Sequence, residues 1–159
     1  MSDIAVGVPA CEQIADEFLT FAVIMARYHN KWVFCRHRER DTYEIPGGHS
    51  ELGESIDDTA RRELSEETGA VAFSLAPVCV YSVTTDSRTT YGKLYYANIS
   101  ELGPLSPEYE IAEVCFWDTL PNSLTYPDIQ PMLYDKVQKW LITIRLAAPE
   151  DADDPEKED

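Results

Sequence analysis

Basic residues are scarce in this 159-residue chain: 13 Lys and Arg stand against 29 Asp and Glu, a formal net charge of −16. A chain so charged repels polyanions, so stable nucleic acid binding and adhesion to an anionic membrane are not expected. An anionic small molecule would need a local basic patch or metal ions. No apolar run approaches the ~20 residues that cross a bilayer, and the first residues lack the basic and apolar segments of a secretion signal. A soluble, cytoplasmic protein is expected. The four cysteines, Cys11, Cys35, Cys79 and Cys115, have no CxxC or Cys/His spacing, which argues for reduced thiols over disulfides or zinc. Length allows one domain, as a monomer or homodimer, and 44% hydrophobic content suffices for one core.

The informative stretch is Ile45 to Ala70, IPGGHSELGESIDDTARRELSEETGA. Glu63, Glu66 and Glu67 stand at i, i+3 and i+4, so a helix puts them on one face. Two carboxylates about 4 Å apart repel by about 4 kcal/mol at an effective dielectric of about 20. They also sit at the negative end of the helix dipole, where cations are preferred. A bound cation removes both objections. Ser55 is the expected N-cap, with Asp57 and Asp58 in the first turn, and Gly69 ends the helix. Ile56, Ala60 and Leu64 form a stripe that should dock on a core, with Glu63 and Glu67 at its margin, facing a cleft edge. Pro46, Gly47 and Gly48 read as a turn whose carbonyls are free to bend toward an ion. Hard oxygen donors suit Mg²⁺ or Mn²⁺, and no Cys or His joins the cluster to suit zinc.

The spacing from Gly48 through Glu54, then Arg62, Glu63, Leu64, Glu66, Glu67, Gly69 and Ala70, resembles the complete signature of the Nudix hydrolase family, MutT-like. The resemblance implies an α/β fold, the α/β/α sandwich with a mixed sheet flanked by helices, and metal-dependent hydrolysis of a pyrophosphate bond. It implies Glu63, Glu66 and Glu67 as metal ligands, with the Gly48 carbonyl as a further one. Arg62 would orient Glu63, and Glu54 would support the loop or join a second metal. The general base would be a carboxylate of the cluster or of a later loop, with Glu110 first and Glu108 and Glu113 behind it.

Elsewhere, Glu17 to Tyr28 and Trp32 to Cys35 suggest a hairpin turning at His29 to Lys31. Val71 to Thr84 and Tyr91 to Ile99 read as strands joined by a polar link, Ser100 to Pro107 as a loop, and Ile111 to Trp117 as a strand. A closing helix is expected from Asp128 to Leu146, with Met132, Leu133, Val137, Trp140, Leu141 and Ile144 as its apolar positions. Residues 1–146 would be the domain and 147–159 a disordered acidic tail.

Arg36, His37, Arg38, Glu39 and Arg40 form the one dense basic run. Arg36 and Arg38 are candidate phosphate contacts, Arg36 favoured by the MutT-like resemblance, whereas His37 reads as a surface histidine. Tyr43, Tyr95 and Tyr126 could stack on a base, although an aromatic on a strand is more often core, and Asp128 could read the base edge. The substrate read from this is a nucleoside triphosphate such as dGTP or its 8-oxo form, giving the monophosphate and pyrophosphate. The alternatives are removal of pyrophosphate from the 5′ end of an RNA, and a nucleotide-binding regulator on the same fold.

Overall fold

The structure is a computed structural model that describes residues 4–8 and 14–147. Cys11 and residues 148–159 of the expected tail lie outside the described residues. The chain runs through β1 (Ile4–Gly7), a 3-10 turn (Asp16–Phe18), β2 (Leu19–Tyr28), β3 (Lys31–His37), β4 (Gly47–His49) and α1 (Ile56–Thr68). It continues through β5 (Ala70–Thr85), β6 (Arg88–Leu102), β7 (Ile111–Trp117) and α2 (Gln130–Ala147). The described strands form one sheet in the order β1-β5-β6-β2-β3-β7, with β4 paired to the start of β2. β2 and β6 run parallel and the other named pairs antiparallel. This is the mixed sheet expected of the α/β sandwich.

The run AVIMA in β2 is apolar at every position because both faces of the central strand are covered. Ala22, Ile24 and Ala26 face α1, together with Tyr95, Ala97 and Ile99 of β6. Val23 and Met25 face α2, together with Trp32 and Phe34 of β3 and Leu94 of β6. α1 docks through Ile56, Ala60 and Leu64 as the sequence predicts. Ser55 accepts from Asp58 N–H while Asp58 accepts from Ser55 N–H, a capping box, and Gly69 closes the helix at φ 81°.

Three expectations change. The polar link between β5 and β6 shrinks to Asp86 and Ser87, both with positive φ, because an exposed threonine-rich strand needs no apolar alternation to pair. The glycine turn is instead β4, paired with β2 from Gly47 opposite Val23 to His49 opposite Phe21. In α2, Leu133 and Val137 are buried, but Ile144 is 48% exposed, since positions 142–145 are all exposed and no face of the helix is covered there. No described helix is long and apolar enough to cross a membrane.

Candidate active site

A cleft of about 810 Å³ opens where α1, β4, the loop before β7 and the start of α2 converge. One wall is acidic, with Glu63, Glu66 and Glu67 from α1, Glu44 from the segment before β4, and Glu108 and Glu110 from the loop before β7. The other half is apolar and aromatic, with Phe21 and Val23 of β2, Tyr81 of β5, Ile129, and Leu133 of α2.

Strand parity sets how β4 meets α1. Ile24 N–H donates to Pro46 C=O (2.8 Å) and Ser50 N–H to Thr20 C=O (3.0 Å), so residues 46, 48 and 50 turn their polar groups toward β2. Gly47 and His49 turn theirs toward α1: Gly47 N–H donates to Glu67 Oε1 (2.9 Å), and His49 C=O accepts from Arg62 Nη2 (3.1 Å). By the same parity the carbonyl of Gly47, one residue before the expected Gly48, lies on the side of β4 that faces away from β2, as its N–H does. Gly48 has a different part, because a Cβ there would fall on the Glu63 carboxylate. The absent side chain is what lets Glu63 lie against the strand.

Arg62 is the hub of the wall. Its Nε and Nη2 donate to the two oxygens of Glu54, and its Nη1 to Glu63 Oε2 (3.0 Å) and Glu66 Oε1 (3.4 Å). The Arg62 fork holds the Glu54 carboxyl down to about 2, helped by Glu51 N–H and the Thr59 hydroxyl. Glu63 goes the other way. Burial first, then the charge of Glu67, push it up to about 7, and Arg62 offsets this only in part.

His37 is a correction: it lies in the cleft with its side chain 18% exposed, not at the surface. Its Nε2 is 3.3 Å from Glu44 Oε1 and 3.6 Å from Glu67 Oε2 without a directed hydrogen bond to either, and its Nδ1 is 3.4 Å from Glu110 Oε1. Glu67 raises its pKa, against the burial that lowers it.

The other expected residues divide. Arg36 is tied to Glu113 of β7 through its Nε (3.0 Å) and to Arg40 C=O, and does not line the cleft. Arg38 donates to Pro107 C=O (2.9 Å), and its N–H to Glu110 C=O, which holds the loop carrying Glu110. Arg40 is the arginine of the run that lines the cleft; it pairs with the buried Glu44 and stands 5.9 Å from the centre of the Tyr126 ring. Tyr126 lines the cleft at 43% exposure. Tyr43 packs edge-on against Trp117 and does not line it. Tyr95 is a core residue, 1% exposed, with its hydroxyl donating to Asp57, so it is unavailable for stacking on a base. Asp128 is exposed outside the lining.

Glu44 and Gln130 were not singled out from sequence, His37 was read as a surface histidine, and Arg40 only as a member of the basic run. For Glu44 the available signal was its place two residues before Pro46, where a strand end points into the glycine segment. The donor set is one of hard oxygens, with Glu63 a carboxylate whose burial favours a proton or cation beside it. Among the described residues no three acidic, His or Cys side chains already form a metal cage, since Glu63 and Glu66 are turned onto Arg62. A partial set of this kind fits Mg²⁺ or Mn²⁺ shared with substrate phosphates better than an all-protein cage.

The NUDIX domain family matches residues 17–128. A Bacillus subtilis (strain 168) protein provisionally named 8-oxo-dGTP diphosphatase YtkD is 31% identical over 102 residues, 64% of each chain. A Mycobacterium tuberculosis protein provisionally named mutator protein MutT4 is 36% identical over 113 residues, 64% of this chain and 46% of that protein. The match thus spans less than two-thirds of the length of the first relative and about half of the second. The crystal structure of the Bacillus subtilis pyrophosphohydrolase BsRppH superposes with a TM-score of 0.71 at 25% identity, covering 84% of this chain and 90% of that one.

Proposed function

The chain belongs to the Nudix family, and from that premise we propose that it is a MutT-like pyrophosphohydrolase of nucleoside triphosphates. Water attacks one phosphorus of the α–β anhydride, giving up a proton to a carboxylate, the bridging bond breaks, and nucleoside monophosphate and pyrophosphate leave. The observation that carries this reading is the acidic wall: one arginine holding Glu54, Glu63 and Glu66 beside a Glu67 fixed by a backbone N–H. Mutually repelling acids kept in one place by Arg62 are arranged for cation binding.

Glu63, Glu66, Glu67 and the Gly47 carbonyl would hold Mg²⁺ or Mn²⁺, which when bound neutralises phosphate charge and acidifies water. Arg62 orients Glu63 by a charge-assisted hydrogen bond. Glu110, on a loop latched by Arg38 and facing His37, is the general base of this reading, with Glu108 beside it. Arg40 replaces Arg36 as the phosphate-contacting arginine, because it faces the cleft and its Glu44 partner leaves part of its fork for an anion. The 8-oxo form is a candidate substrate, supported by the name of the relative YtkD.

The test is a hydrolysis screen with Mg²⁺ and with Mn²⁺ over nucleoside triphosphates, 8-oxo-dGTP, nucleotide sugars, dinucleotides and triphosphorylated RNA. Monophosphate plus pyrophosphate from a free triphosphate is expected. Preference for the RNA end would transfer the reading to that substrate, and tight nucleotide binding without turnover would make the chain a regulator.

A further inference from the structure

The apolar half of the cleft contains one polar group with nothing to bond. Gln130 opens α2, its N–H donating to Tyr126 C=O (3.0 Å), and the residue is 5% exposed. Its side-chain Oε1 is buried without a hydrogen-bond partner, although the residue lines the cleft. Ile129 and Leu133, one residue before it and three after it in the chain, line the same cleft and carry no side-chain donor. The Tyr81 ring, which also lines the cleft, lies directly against Gly92, where a Cβ would come within 2.6 Å of the phenol. A buried acceptor left unpaired costs folding free energy, and such groups are rare unless something outside the chain satisfies them.

We propose that Gln130 is a specificity-determining residue that reads the edge of the substrate's nucleobase, its Oε1 accepting from a base N–H while its Nε2 donates to the adjacent base acceptor. The inference rests on the nucleotide reading above and deepens it. A carboxamide presents an acceptor and a donor side by side, so it matches an edge with N–H next to a carbonyl or ring nitrogen. The apolar and aromatic lining suits the faces of a base, and the acidic wall of the cleft suits the metal-bound phosphates. The base reader is therefore Gln130, two residues beyond the Asp128 expected from sequence and inside the cleft where Asp128 is not.

The experiment measures equilibrium binding of the four common nucleoside monophosphates and of inorganic pyrophosphate, with Mg²⁺, to the wild-type chain and to Gln130→Met. Methionine keeps the length of the side chain and removes both hydrogen-bonding atoms. Monophosphate affinity falls about 5- to 150-fold, the loss of one bidentate pair, the spread among the four bases narrows, and pyrophosphate affinity is unchanged. The ligand-free variant melts at the same or a higher temperature than wild type, because an unpaired buried oxygen has been removed. Gln130→Leu repeats the measurement should the methionine variant fold poorly. Unchanged monophosphate affinities and base ranking overturn the proposal, as does an equal loss of monophosphate and pyrophosphate binding with a lowered melting temperature. A wild-type enzyme that hydrolyses triphosphates while the Gln130 variants keep its base preference defeats this inference alone. A wild-type chain inert toward every diphosphate linkage defeats the pyrophosphohydrolase reading.

Discussion

Glu63 is the side chain on which a proton and a cation compete. Its folded-state pKa, pushed up to about 7 from the ordinary 4.5, means that the folded chain binds a proton the unfolded chain releases. The stabilisation from that proton is complete below pH 4.5 and lost as pH rises through 7. Glu54, held down to about 2, has the opposite sign: its contribution is present above 4.5 and lost as pH falls toward 2. Metal-free protein is therefore expected to lose melting temperature between pH 5 and 8, and Mg²⁺ to restore more at pH 8 than at pH 5. A flat metal-free profile, or a larger Mg²⁺ effect at pH 5, contradicts the assignment of Glu63. Glu66→Gln and Glu67→Gln are each expected to lower kcat about 100-fold or more, as loss of one preorganised electrostatic group does; unchanged turnover and metal dependence would remove them from the site. Gly48→Ala displaces the Glu63 carboxylate and should cut metal affinity about 10- to 100-fold, with little change in melting temperature because a side chain, not the strand, gives way. A retained affinity in titrations with Mn²⁺ would show that Glu63 can bind from another rotamer. That these glutamates share one face of α1 at the cleft was legible from their spacing. His37 and Glu44 were not, because whether a polar residue at a strand end faces water or a cleft depends on segments far away in sequence.

At the scale of the element, α1 was readable end to end because cap, stripe and terminator all lie within its own sequence. Ser55→Ala removes the capping box and should cost about 1 kcal/mol, a fall of about 2–4 °C in melting temperature for a chain of this size, with kcat nearly unchanged. A large loss of turnover in that variant would mean that the first turn also sets the positions of the glutamates. β4 was the element misread. Two glycines after a proline carry the local signature of a turn, and only pairing with β2 makes them a strand. The consequence reaches the proposed metal site, since strand parity puts the Gly47 carbonyl, and not that of Gly48, on the side away from β2. Tyr95 illustrates the same dependence: its place on a strand was legible, but the helix that covers it was needed to assign it to the core.

For the molecule as a whole, the mixed sheet follows from pieces that sequence gives separately, whereas strand order depends on contacts between distant segments. The net charge of −16 acts on the folded chain through self-repulsion. Raising NaCl from about 20 to 300 mM shortens the Debye length from about 20 to about 6 Å and should raise the melting temperature of metal-free protein. A decrease would mean that the Arg62 and Arg40 ion pairs outweigh the repulsion. The parallel contact between β2 and β6 has a further consequence, in time. Leu19 is opposite Tyr91 and Tyr28 opposite Ile99, so the central pairing waits on closure of a long loop. A growing chain that has reached Thr85 already holds every glutamate of α1, yet lacks the strand on which the α1 platform rests. During synthesis the acidic helix therefore precedes its own scaffold, and the apolar faces of β2 stay uncovered on one edge until β6 leaves the ribosome.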